Sequence, residues 1–288
     1  MYRILIIGGS GFIGSHISDE LTFRGHNVTI FDANSSKWIS DNQKMVIGSI
    51  SDIDALSDEI SKSDVVYHMA AIADIAEADQ DPIRTITDNI LGSVNIVNLC
   101  AKHNARLMYG STVYVYSKHG SFYRASKQSV EILIEVFHEK FNLDYTILRY
   151  GSLYGPRAQQ WNGLKRIVSE IVHNKKIIFG GTGNEKREYI HVVDAAKMSV
   201  DVLDDKYKQK AVTLTGIQVL TQSELIQMIQ EVIGYDVLVE YNSDSKSHNH
   251  YKLTPYQYTP KSSVKIISRE YVDIGEGILE LVSDLDQE

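Results

Sequence analysis

The sequence predicts an α/β protein with a doubly wound parallel sheet over residues 1–150. A smaller α/β lobe follows over 151–288, with 184–215 returning to the first domain. Three observations carry this reading. Between Tyr2 and Tyr150, short apolar runs alternate with helix-length stretches, the pattern of βαβ units with right-handed crossovers. A glycine-rich turn, Gly8-Gly9-Ser10-Gly11-Phe12-Ile13-Gly14, separates the first strand from the first helix. After Tyr150 the alternation loosens into turn-rich segments at 151–156 and 180–183.

Taken in order, strands are expected over 2–7, 27–31, 45–47, 64–68, 106–109 and 145–149, each a short apolar run. Helices are expected over 12–24, 52–61, 81–101 and 123–141. Pro82 opens the third helix, at a position where its missing N–H costs little. In the fourth, the apolar residues Val130, Ile134, Phe137 and Phe141 recur at three- and four-residue steps. Beyond Tyr150, helical spacing covers 164–172, 192–203 and 222–233, and Thr221 with Glu224 has capping-box spacing. A polar loop spans 242–250.

The 288 residues are 43% hydrophobic and 23% charged, which excludes a disordered chain. The net charge of −8 repels a polyanion and argues against nucleic acid as a partner. No stretch approaches the ~20 apolar residues of a membrane helix, and the N-terminal apolar run is stopped early by Gly8 and Gly9. The single cysteine, Cys100, excludes an intrachain disulfide and fits a reducing compartment. A cytoplasmic protein without a membrane partner is expected. His248 and His250 flank one residue of the polar loop, but no third or fourth ligand accompanies them, so no metal is expected.

Glycines at 8, 11 and 14 allow a tight turn, a close approach to a pyrophosphate and close packing of helix on sheet. The helix that follows points its N-terminus at the phosphates. Asp32 ends the second strand, 18 positions after Gly14. Its carboxylate is placed to accept hydrogen bonds from a ribose diol and to repel the extra phosphate of NADP, which favours NAD.

Two pairs fit Tyr-x-x-x-Lys: Tyr114 with Lys118, and Tyr123 with Lys127. Tyr114 lies just past the fifth strand, where no helical period holds a lysine on its face. Tyr123 begins a helix, so Lys127 shares its face, and its charge would favour the phenolate. Ser111-Thr112 closes the fifth strand, at the sheet edge where open α/β folds bind ligands. Thr112 is there placed to relay a proton between a substrate oxygen and Tyr123.

Together these residues resemble the extended short-chain dehydrogenase/reductase family, in its NAD-dependent nucleotide-sugar epimerase/dehydratase branch. The likeness covers most of the chain. It includes the glycine motif and Asp32, His68-Met69-Ala70-Ala71, and Asn89 with Gly92 and Asn95. It continues through Ser111-Thr112, Val115-Tyr116, Tyr123, Ser126-Lys127 and Leu148-Arg149-Tyr150. Tyr154-Gly155-Pro156-Arg157 follows, then Arg187-Glu188-Tyr189 leading to Val193-Asp194.

The resemblance implies a Rossmann-type domain that binds NAD along Gly8, Gly11, Phe12, Ile13 and Gly14, then Asp32, Asn34 and Ser35. Ser49, Ile50, Met69, Ala70, Ala71 and Asn89 continue the implied cofactor site, which closes on Gly110, Tyr123, Lys127 and Tyr150. A nucleotide-sugar is implied at Thr112, Ser152, Trp161 and Arg187, the arginine gripping the diphosphate. Tyr123 would remove the proton of a sugar hydroxyl, usually at C4, while NAD takes the hydride. Thr112 would steady the oxygen, and Lys127 would hold the nicotinamide ribose. A homodimer through helices 81–103 and 123–141 is implied as well, as is a role in surface-polysaccharide synthesis.

Departures narrow the reading. Val113 and Tyr114 occupy slots where the 4,6-dehydratases carry acids, which disfavours dehydration and decarboxylation. Tyr114 resembles the tyrosine of the ketoreductases of rhamnose synthesis. Ser49 stands where an aspartate often touches adenine, and Ser152 where an asparagine often meets the diphosphate. No late arginine matches, leaving His250, Tyr251 or Lys252 as substitutes. The sequence therefore reads as an enzyme of NAD-dependent oxidation and reduction at C4 of a UDP- or GDP-sugar, foremost a 4-epimerase. A 4-dehydrogenase or 4-ketoreductase is the alternative, and a non-catalytic NAD-binding regulator is the alternative of another class.

Overall fold

The computed structural model describes residues 1–217 and 219–242. In chain order the first half comprises β1 (Arg3–Ile7), α1 (Phe12–Phe23), β2 (Asn27–Asp32), β3 (Gln43–Ile47), α2 (Ile53–Ser61), β4 (Val65–His68), α3 (Ile75–Gln80), α4 (Pro82–Ile86), α5 (Ser93–His103), β5 (Arg106–Thr112), α6 (Ser121–Phe141) and β6 (Tyr145–Tyr150). The second half adds β7 (Ser152–Tyr154), α7 (Gly163–Asn174), β8 (Lys176–Phe179), β9 (Lys186–His191), α8 (Val192–Asp201), β10 (Lys210–Leu214), β11 (Val219–Thr221), α9 (Gln222–Ile233) and β12 (Leu238–Tyr241).

Seven strands form one parallel sheet in the order β10-β6-β5-β4-β1-β2-β3. This is the doubly wound arrangement expected. β1 explains its burial on both faces. Ile4 and Ile6 join a core with Ile17 and Leu21 of α1 and Ala195 and Val200 of α8. Leu5 and Ile7 join the opposite core with Leu56 and Ile60 of α2, Ile96 and Cys100 of α5 and Val130 and Ile134 of α6. The strand order reverses between β1 and β4, and a crevice opens at their carboxyl ends. β10 pairs with β6 from Lys210↔Thr146 to Leu214↔Tyr150, so residues beyond 150 complete this sheet.

The structure redraws several expected elements. The single helix over 81–101 is interrupted: α4 begins at Pro82, a π turn covers Thr87–Gly92, and α5 follows. Such a widened turn admits one extra residue without ending the helix, and here it carries the inward-directed Asn89. α3 is too short for a periodic signal and is set by Asp74, whose carboxylate caps Ala76 N–H. β5 extends beyond 106–109, because Gly110, Ser111 and Thr112 pair with Leu148, Arg149 and Tyr150 although none of the three is strongly apolar. α6 starts two residues early, after Gly120 turns the chain at φ +97°.

The remaining strands form a three-stranded sheet, β11-β9-β7, and a parallel pair, β12-β8. Ile167 and Ile171 of α7 pack with Ile177 and with Leu225, Ile226 and Ile229 of α9. The predicted helix over 222–233 is α9 to the residue, with the Thr221–Glu224 capping box formed. Most of the polar loop at 242–250, with His248, His250, Tyr251, Lys252, Tyr256 and Tyr258, lies outside the described residues.

Candidate active site

A cleft of about 1070 Å³ opens along the carboxyl ends of β1, β2, β4, β5 and β6 and runs between α7, β8 and β9. Its floor is the glycine turn. Gly8 adopts φ +86°, and a Cβ there would lie 2.4 Å from the Ala70 amide nitrogen. A Cβ on Gly14 would lie 2.2 Å from the Gly8 carbonyl oxygen. Three backbone segments therefore meet at distances only glycine permits. Gly11 caps α1 without any side-chain hydrogen bond, which leaves that helix terminus open to an anion.

At the end of β2, Asp32 accepts the Ser10 and Asn34 amide N–H groups, each at 3.0 Å, and lines the cleft. A cradle that side chains would fill, an uncapped helix terminus and a carboxylate on the adjacent strand fit the two phosphates and the ribose of a dinucleotide.

Thr112, Tyr123 and Lys127 converge on the same cleft. Thr112 lies beside the Tyr123 phenol, and its hydroxyl accepts the Tyr114 amide N–H at 3.3 Å. Burial pushes the Tyr123 phenol up to about 12, and the neighbouring Thr112 hydroxyl pulls the other way. Lys127 is buried, and its Nζ donates to the Gly110 carbonyl oxygen at 2.7 Å. Burial lowers it to about 8, opposed by the charge of Glu131. Lys127 thus lies on the face of Tyr123 but is bonded to the β5 backbone, and the polar neighbour that acts on the phenol is Thr112.

The rival pair dissolves. Val113–Tyr116 is a 3-10 turn and Lys118 is exposed. Tyr114 does line the cleft, its ring edge-on to that of Tyr123 at 6.5 Å between centroids.

The cleft also gathers Phe12, Ile13, Ser49, Ile50, Met69, Ala70, Ala71, Gly110 and Tyr150, together with Ser152, Trp161 and Arg187 on the lobe side. Three expected cofactor residues are not among its walls. Ser35 is exposed in the loop after β2, and Asn34 serves through its backbone, donating to Asp32 and accepting the Ser10 hydroxyl at 2.8 Å. Asn89 is buried behind the cleft, where its amide bonds both Ile72 N–H and Ile72 C=O, at 2.8 and 3.0 Å, and the Ser126 hydroxyl at 3.2 Å.

Asn89 therefore acts through others. It ties the loop after β4 to α6, just ahead of Lys127. Asn89→Ala would strand the backbone groups of Ile72 in a buried place, and a loss of about 2–3 kcal/mol in urea unfolding is expected.

Sequence reasoning did not find Arg84, Asp88, Gln159, Tyr189 or Gln222, which also line the cleft. They come from separate helices, a strand and a loop, and no shared spacing marks them. Among the described residues no group of three His, Cys, Asp or Glu side chains could hold a metal.

Comparison with known proteins agrees with this geometry. The family model "NAD dependent epimerase/dehydratase family" matches residues 4–215. A relative from Methanocaldococcus jannaschii named "Putative UDP-glucose 4-epimerase" is 30% identical, over 81% of this chain and 83% of its own. A UDP-N-acetyl-alpha-D-glucosaminuronate decarboxylase of Bacillus cytotoxicus is 28% identical, over 80% of each chain. Among solved structures, the UDP-glucose 4-epimerase of Thermotoga maritima with UDP-glucose superposes with a TM-score of 0.80 at 26% identity, covering 89% of this chain and 90% of that one. With its glycine cradle, Asp32 and the Thr112–Tyr123–Lys127 grouping all on one cleft, the chain belongs to the NAD-dependent epimerase/dehydratase family and is an enzyme of the extended short-chain dehydrogenase/reductase type.

Proposed function

We propose that this enzyme interconverts C4 epimers of a nucleotide-activated sugar, with NAD as its cofactor. One observation carries the reading: Thr112 and Tyr123 meet in one cleft beside buried Lys127, while the positions after Thr112 hold Val113 and Tyr114 and offer no carboxylate. Removing a C5 proton and expelling water, or steering loss of a carboxylate, calls for acid–base groups that this turn lacks.

NAD, held by the Gly8–Gly14 turn, Asp32 and Lys127, supplies a reversible two-electron acceptor. Tyr123 takes the proton from the C4 hydroxyl oxygen and gives it back. Thr112 donates to that oxygen as its charge grows. Arg187, on β9 and at the cleft wall, faces the diphosphate, and Trp161 and Ser152 border the sugar and nucleotide. Each hydrogen that leaves C4 returns to it, so no net cofactor change accompanies turnover.

The test uses panels of UDP- and GDP-sugars, with product NMR and absorbance at 340 nm followed together. A C4-epimeric product at constant 340 nm absorbance is expected. A sustained stoichiometric change at 340 nm overturns the epimerase and leaves a 4-dehydrogenase or 4-ketoreductase, the second reading that Tyr114 at the cleft wall favours.

The active form is proposed to be a homodimer. Ile83 and Ile86 of α4, Leu91 of the π turn, and Ile132 and Val136 of α6 are all exposed. These two helical segments pack against each other, so the residues supply apolar surface for a second copy. Light scattering is expected to give twice the 32.5 kDa of one chain. Among the described residues no helix is long and apolar enough to cross a membrane.

A further inference from the structure

We infer that the buried Glu131–Arg149 ion pair is a positioning clamp for the reacting centre, fastening β5, α6 and β6 together and supplying the counter-charge of Lys127. It deepens the C4 reading and rests on it only for its kinetic arm.

The geometry is specific. Glu131 is 6% exposed and lies four residues after Lys127 on α6, one helical turn away. Its Oε1 accepts from the Ser111 hydroxyl and from Arg149 Nε at 3.1 Å, and its Oε2 accepts from Arg149 Nη2 at 2.6 Å. Arg149 Nη1 in turn donates to the Tyr116 hydroxyl at 2.6 Å. Ser111 and Arg149 are register partners across β5 and β6, and Ser111 immediately precedes Thr112. The ion pair therefore fixes, through Glu131, the strand end that carries Thr112 and the helix that carries Tyr123 and Lys127, and, through Arg149, the turn between them.

Stability alone gives little reason to keep such a pair. Burying two charges is costly, and well-packed apolar replacements are often as stable. What an apolar replacement could not supply is an anion beside Lys127. Among the described residues, the titratable groups acting on or stacked against Lys127 are Glu131 from its own helix, His68 from β4 and Tyr109 from β5, whose ring centroid lies 4.8 Å from Nζ, and Tyr123 precedes it by four residues on the same helix. Burial holds His68 neutral, pushed down to about 3. Arg149 of β6 reaches Lys127 only through Glu131. Among the described residues, Glu131 is the acid that acts on this lysine.

The experiment is an NMR titration of the Lys127 ammonium in the full-length protein with NAD, the resonance assigned by its loss in K127M. Glu131→Gln keeps the shape and removes the charge. The Lys127 midpoint is expected to fall by about one pH unit. The alkaline limb of kcat is expected to move down with it, at a KM changed less than about threefold. Should E131Q not fold, the E131Q/R149Q pair leaves no lone buried charge and carries the same expected direction.

A Lys127 midpoint that stays within about 0.3 units of the wild type, in whichever variant folds, overturns the clamp, since a merely structural role would leave it there. The titration needs no substrate. Wild-type protein inactive on every nucleotide-sugar therefore overturns the C4 reading, while the clamp is still decided by the titration.

Discussion

Tyr123→Phe is expected to lower C4 turnover by about 10³-fold while NAD affinity stays within about threefold of wild type. The phenol hydroxyl is the group on which Thr112 acts, and burial holds it protonated up to about 12 in this structure. Phenylalanine fills the same volume, keeps the edge-on packing against Tyr114, and removes only the exchangeable proton. The measurement is the rate of C4-epimer formation by product NMR, beside NAD calorimetry. A variant that turns over at more than about a tenth of the wild-type rate would place the proton transfer elsewhere. A variant that keeps its biological role with no turnover at all would favour the non-catalytic regulator.

Gly8→Ala is expected to weaken NAD binding by at least about 100-fold, equivalent to ~2.7 kcal/mol, and to lower unfolding stability by about 2–3 kcal/mol. Two causes add at this residue. Its φ of +86° lies in the left-handed region, and the added Cβ would meet the Ala70 amide at 2.4 Å.

Gly25→Ala separates the two. Gly25 has nearly the same φ, +80°, but a Cβ there meets nothing within 4 Å. That variant should show only the conformational cost, about 1 kcal/mol, with NAD affinity unchanged. Equal losses of NAD affinity in both variants, read by calorimetry, would show that the close approach of the β1 and β4 turns is not what forms the cradle.

Much of this was legible in the chain. The alternation of runs such as 4–7, 28–31 and 65–68 with amphipathic stretches dictates a parallel sheet covered on both faces, since each strand must bury both of its sides. The glycine spacing dictates the tight turn, because the positive φ of Gly8 and the contact of Gly14 with Gly8 are local to one short stretch, whereas the approach of Ala70 to Gly8 needed the assembled sheet. Tyr123 and Lys127 share a face because four residues make about one helical turn.

Other features were not legible. The π turn at Thr87–Gly92 exists because Asn89 finds partners on Ile72 and Ser126, 17 residues before it and 37 after it. β5 reaches Thr112 because β6 lies beside it, not because Gly110 and Ser111 favour a strand.

The sequence by itself determined the fold class, the dinucleotide turn and the tyrosine–lysine pair, all of which follow from contacts within a few residues or from periodicity along one element. The tertiary structure decided that Thr112 comes beside the phenol and that the partner of the lysine is the Gly110 carbonyl. It also decided that Glu131, Arg149, Ser111 and Tyr116 form one buried network. Those pairings join groups from different strands and helices, and their protonation is set by how deeply the assembled fold excludes water, a quantity no single stretch of chain carries.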